Sequence, residues 1–96
     1  MNINVSYFLQ AAPDDRKISH KIDGQTLNIA IECEGAVYTS NIDLASVGVS
    51  EYYPTAVNTN ILLYPEVQVY HPKPDDYYIE MPEWRSDEDD IFRKNT

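Results

Sequence analysis

Ninety-six residues carry 16 acids against 7 bases, a net charge of −9 at pH 7, with 43% hydrophobic and 11% aromatic side chains. A chain of this length makes one domain, residues 1–96, able to bury roughly 60–70% of its unfolded surface without disulfide or metal staples, so the composition excludes global disorder. The charge disfavours direct binding to nucleic acid or an anionic membrane, because either would repel it, and favours attraction to basic surfaces.

The opening "MNINVSYFLQAAPDD" lacks the basic n-region and apolar core of a signal peptide. No stretch approaches 18 apolar residues, so no membrane span is expected. Residues 3–9, "INVSYFL", are rich in β-formers and predict a first strand. The single cysteine, Cys33, forms no internal disulfide, and a reducing cytoplasm is the simplest compartment.

Residues 16–44 read as a three-stranded antiparallel meander. Asp23-Gly24 matches a two-residue type I′ hairpin loop. That loop pairs Ile22 with Gln25, His20 with Leu27 and Ile18 with Ile29 on one apolar face. Lys21–Thr26, Ser19–Asn28 and Lys17–Ala30 fall on the other face. A second turn at Glu34-Gly35 pairs Cys33 with Ala36, Ile31 with Tyr38 and Leu27 with Ile42, which continues the same face. Residues 43–60 mix Ser, Gly, Pro and Asn and read as a crossing loop with a short helix after Asp43. "EVQVYH" (66–71) alternates, and the Pro72–Pro74 turn leads into "DYYIEM" (76–81), giving a second hairpin bracketed by Pro65 and Pro82. Ser86 suits an N-cap, and Ser86–Lys94 carries acids first and bases last, as a short helix docked by Ile91 and Phe92 would. The expected fold class is mainly β, or α+β with a minor helix. It is a small antiparallel sheet or half-open barrel built on the meander and the second hairpin, with 83–96 as a loosely attached acidic segment.

Catalytic and metal-binding patterns are thin. His20 falls on the buried face of the meander and reads as a packed sheet histidine; His71 reads as an exposed strand end before Pro72. Cys33 beside its turn reads as a small half-buried hydrophobe. Two histidines and one cysteine cannot assemble a four-ligand zinc site, and "DEDDIF" lacks the glycine of a calcium loop, so no metal and no cofactor is expected. Asp75 and Glu80 have the look of a nuclease acid pair, but residue 82 is proline where a lysine would be needed. The three glycines are isolated and build no phosphate loop. A non-enzyme is expected.

Charge is placed unevenly. Residues 22–72 hold six acids and no lysine or arginine, and residues 75–90 then add eight more acids. Eight tyrosines include the pairs Tyr52-Tyr53 and Tyr77-Tyr78. On a strand adjacent residues face opposite ways, so Tyr77, Ile79 and Met81 pack inward while Tyr78 and Glu80 face out, or the reverse. The candidate partner-binding set is Asp75, Asp76, Tyr78, Glu80, Glu83, Trp84, Asp87, Glu88, Asp89 and Asp90, with one of Tyr52 and Tyr53 as a further anchor. Tyr and Trp dominate interface hot spots, and charge steers the approach.

In size, acidity and lack of catalytic motif the chain resembles small phage-encoded anti-defence inhibitors of the anti-CRISPR and anti-restriction type, some of which mimic nucleic acid. The resemblance is compositional and carries over no residue role. It implies a stoichiometric inhibitor in the host cytoplasm that occupies a basic, nucleic-acid-binding surface of a protein or ribonucleoprotein complex. Immunity proteins and antitoxins that neutralise a basic nuclease share the same physics. The competing reading is a structural or assembly subunit that forms a homo-oligomer through a tyrosine-rich sheet face or edge.

Overall fold

A computed structural model describes residues 1–86, and the chain in it is mainly β, with seven strands and one short 3₁₀ turn among those residues. The strands are β1 (Asn2–Ala12), β2 (Arg16–Asp23), β3 (Thr26–Cys33), β4 (Ala36–Asp43), β5 (Thr55–Asn58), β6 (Glu66–Lys73) and β7 (Asp76–Ser86). They form a three-stranded antiparallel sheet, β2-β3-β4, and a four-stranded mixed sheet in the order β1-β7-β6-β5. No helix is long and apolar enough to cross a membrane among the described residues.

The meander forms as its two turns require, with one change of register. Glu34 and Gly35 both take positive φ, 51° and 83°, the conformation of a type I′ turn, and Cys33↔Ala36, Ile31↔Tyr38 and Leu27↔Ile42 pair as expected. In the first hairpin the loop is Gly24-Gln25, not Asp23-Gly24. Only Gly24 takes positive φ, as in a type II′ turn with glycine first, and Asp23 remains in the strand opposite Thr26. The pairs are therefore Ile22↔Leu27, His20↔Ile29 and Ile18↔Ile31. A shift of two residues keeps the side-chain parity, so Ile18, His20 and Ile22 still face inward.

The crossing segment opens with the 3₁₀ turn Leu44–Ser46, where the Asp43 side chain accepts from Ala45 N at 3.1 Å. Residues 55–58, expected as loop, form β5 on the far edge of the larger sheet, paired Ala56↔Gln68 and Val57↔Val67. A tight return follows. Thr59, buried, donates its hydroxyl to Tyr64 O and accepts from Ile61 N at 3.1 Å, and Asn60 takes φ 63°.

The larger sheet departs most from the expectation of antiparallel pairing throughout. β7 is no edge strand: β6 lies on one side, antiparallel, and β1 on the other, parallel and in unbroken register from Asn2↔Asp76 to Ala12↔Ser86. Pro82, expected to end the hairpin, is buried inside β7 opposite Phe8. Asn2 N donates to Asp75 O at 2.6 Å, which sets the odd residues of β7 toward β1 and the even ones toward β6. The N–H that Pro82 lacks thus falls on the β6 side, beyond the last pair there, Gln68↔Glu80. Ser86 is the last residue of β7, and Glu83–Ser86 continue the strand instead of starting a loose segment. The remainder of the expected helix lies outside the described residues.

The two sheets meet face to face. Leu27, Ile29, Ile31 and Ile42 from the small sheet pack with Val67, Val69, Tyr77, Ile79 and Met81 from the large one, closed by Leu44. Each fully buried aliphatic side chain of this kind contributes about 1.5–3 kcal/mol of transfer free energy.

Candidate binding face

The alternation that buries Tyr77, Ile79 and Met81 turns Asp76, Tyr78 and Glu80 to the outer face of the larger sheet. The same alternation on β6 turns out Glu66, Gln68 and Tyr70. Register assembles these into rows: Asn4, Tyr78 and Tyr70 across β1, β7 and β6, then Ser6, Glu80, Gln68 and Ala56 across all four strands. The Tyr70 and Tyr78 rings lie 6.2 Å apart at 40°, and Tyr78 is 45% exposed. The Tyr70 hydroxyl donates to Glu51 O at 2.6 Å, which draws the 50–54 loop against the sheet. Pro54, Gln68, Tyr70, Tyr78 and Glu80 line an open depression of about 390 Å³. Tyr52 and Tyr53 follow on that loop, both largely exposed, with rings 6.4 Å apart. They are off any strand, so both reach the surface, where strand alternation would have exposed one.

Lys17 and Lys21 project from the outer face of the small sheet, beside Asp23, Glu32 and Asp43. On the large sheet Glu66, Asp76 and Glu80 meet one lysine among the described residues, Lys73, at the hairpin end opposite Asp76. Asp76 accepts from the Asn2 side chain at 3.0 Å, and neither Glu66 nor Glu80 makes an ion pair among the described residues. Alternate positions on a strand lie about 6–7 Å apart, so Tyr78 and Glu80 are within reach of one long cationic side chain.

The other expected residues are placed differently. Asp75 is exposed in the β6–β7 turn, and Glu83 is exposed 3.9 Å from Arg85. Trp84 is half-buried rather than a free anchor. Its indole N–H donates to Gln10 Oε1 at 3.0 Å, its ring stands edge-on to Tyr64 at 6.0 Å, and the Arg16 guanidinium covers it at 5.3 Å. Six residues of strand, roughly 20 Å, separate it from Tyr78. Asp87, Glu88, Asp89 and Asp90 lie outside the described residues. Tyr70, Glu66, Gln68 and Pro54 lie on this face but outside the set expected from the sequence. The alternation of β6 carried the signal for the first three, because the 72–74 turn folds β6 back along β7.

The chemically versatile groups are occupied. His71, expected at an exposed strand end, is 5% exposed and stacked on Tyr77 at 3.9 Å; Nδ1 lies 2.9 Å from Val47 O and Nε2 3.2 Å from Pro74 O. Neither ring nitrogen is open to a ligand. His20 meets the Tyr7 hydroxyl at 2.5 Å, and burial pushes that hydroxyl's pKa up. Burial, with the Asp14 and Glu34 carboxylates, raises the Cys33 thiol, which keeps it protonated and poorly nucleophilic. The Arg16 guanidinium, 2.5 Å from Asp14, holds that carboxyl below its ordinary range. Among the described residues no three His, Cys, Asp or Glu side chains gather into a possible metal site. Against known proteins, no family model matches the chain, and no curated protein and no solved structure matches it.

Proposed function

We propose that this protein is a non-enzymatic binding protein that sets the outer face of its four-stranded sheet on a Lys/Arg-rich surface of a partner. The partner surface is of the kind that otherwise holds nucleic acid, as for anti-defence or nuclease-neutralising inhibitors. The observation that carries the reading is one face on which Glu80 and Glu66 lie to one side of the paired Tyr70 and Tyr78 and Asp76 to the other, with the lysines of β2 on the opposite sheet. Tyrosine supplies contact area at low entropic cost and a π-face for a guanidinium or ammonium, while the carboxylates steer approach. Asp87, Glu88, Asp89 and Asp90, outside the described residues, add four further acids to the chain.

The test is a pull-down from host lysate at two salt concentrations, with the bound proteins identified. A basic protein or ribonucleoprotein should be retained at low salt and released at high salt. The Glu66→Lys/Glu80→Lys double variant should weaken retention at least about tenfold, since like charges across an interface cost several kcal/mol. Retention that survives both this reversal and replacement of Asp87–Asp90 by Asn and Ser would sink the reading.

A further inference from the structure

β1 is an eleven-residue edge strand that, among the described residues, has none of the devices that protect such edges. It has no charged side chain, no proline and no break in register, in a chain of net charge −9. The other edges are guarded: β5 is four residues long behind Pro54, and β2 presents Lys17, Lys21 and Asp23. β4 is also nearly neutral, but it is three residues shorter and ends on Asp43. Near its middle β1 exposes three consecutive large apolar side chains, Tyr7 at 39%, Phe8 at 45% and Leu9 at 63%.

The backbone shows which groups are open. Because Asn2 N donates to Asp75 O, the even residues of β1 spend their N–H and C=O groups on β7. Ile3, Val5, Tyr7, Leu9 and Ala11 turn theirs to the open flank. An antiparallel copy of the same strand, related by a two-fold axis at Tyr7, would place each of these opposite another of the set. Tyr7 meets its own copy, Val5 meets Leu9 and Ile3 meets Ala11, as five hydrogen-bonded pairs with about ten main-chain bonds. Between them Asn4 faces Gln10, amide to amide. The strand is thus complementary to itself in main-chain parity and in side-chain character. Its neutrality also selects the occupant: a second copy, itself at −9, can approach closely only along a strip free of charge, whereas a cationic partner gains nothing from one.

We infer that two copies of this chain pair through β1 into a two-fold dimer with a continuous eight-stranded sheet. The pairing sets the two outer faces side by side without depending on what those faces bind. Sedimentation velocity on the purified chain, with no partner present, should show a species of twice 11.0 kDa that dissociates on dilution and resists added salt. Leu9→Pro removes an outward N–H, leaves the ladder to β7 intact, and should give a monomer with unchanged far-UV circular dichroism. Leu9→Lys, which disturbs no backbone group, should raise the dissociation constant at least tenfold, and Thr39→Lys on the β4 edge should leave it unchanged. A monomer at every concentration overturns the inference, as does a dimer that survives both Leu9 substitutions or is broken by Thr39→Lys.

Discussion

Replacing His71 by phenylalanine tests how the 44–54 segment is held beneath the binding face. Phenylalanine preserves the ring, its volume and the stack on Tyr77 at 3.9 Å. It removes the one ring N–H of a neutral imidazole, which donates to Val47 O or Pro74 O, 2.9 and 3.2 Å from the two ring nitrogens, at a site 5% exposed. Stranding that acceptor should cost about 1–3 kcal/mol, out of about 5–14 kcal/mol for a chain of this length. Urea unfolding followed by the fluorescence of the single tryptophan, Trp84, reads this directly. With an m-value of about 1–3 kcal/mol/M, the midpoint should fall by about 0.5–2 M. His71→Ala should fall further, because it adds a cavity beside Tyr77. Hydrogen exchange should quicken at residues 47–53 in the phenylalanine variant while β3 stays protected, since the ties left there are the Ser50 N bond to His71 O and the Tyr70 hydroxyl bond to Glu51 O. A midpoint within about 0.3 M of the parent would refute the reasoning, for it would mean the stranded carbonyl finds water or another donor without cost.

Alkaline pH should weaken the fold through its buried phenols. Burial, then Tyr7, raises Tyr64 above its ordinary 10.0, so the folded chain keeps a proton that the unfolded chain releases, and stability falls as pH rises past that value. In a Cys33→Ser background, Tyr64→Phe should shrink the drop in urea midpoint between about pH 9 and about pH 11, and an undiminished drop would contradict the assignment. Cys33 should react with iodoacetamide more slowly in the folded chain than in urea at the same pH, as its raised thiol implies; equal rates would refute this. Glu34→Asn should stabilise the β3–β4 hairpin by about 0.5–1 kcal/mol, because asparagine tolerates the φ of 51° better than glutamate does. No gain in urea midpoint would show that the turn carries no strain at this residue.

Where local rules suffice, the sequence can be read directly. The Glu34-Gly35 turn set the register from Cys33↔Ala36 to Leu27↔Ile42 because positive φ at two successive residues admits one hairpin geometry. Period-two alternation put Tyr77, Ile79 and Met81 on one face and Tyr78 and Glu80 on the other, and packing buries the first set. At Gly24 two turn types compete for one glycine, and the expected loop was displaced by one residue. Parity survived that error, which is why the buried face of the meander was still identified correctly.

Long-range pairing is where local rules end. Nothing within residues 2–12 or 76–86 states that these segments run parallel, for they are joined only through the whole intervening chain. That pairing made β7 central, absorbed Pro82 into a strand and left β1 as the bare edge. It also set Asn4 and Ser6 beside Tyr78 and Glu80. His71 reads as exposed beside two prolines until the 44–50 segment folds over it. Trp84 reads as an anchor until Arg16 and Tyr64 arrive from distant parts of the chain. The sequence by itself determined six of the seven described strands, the buried face of the meander and the anionic character of the chain, because alternation, turn chemistry and charge are local properties. Only the tertiary structure decided which carboxylates and tyrosines share a surface, because that depends on which strands lie side by side.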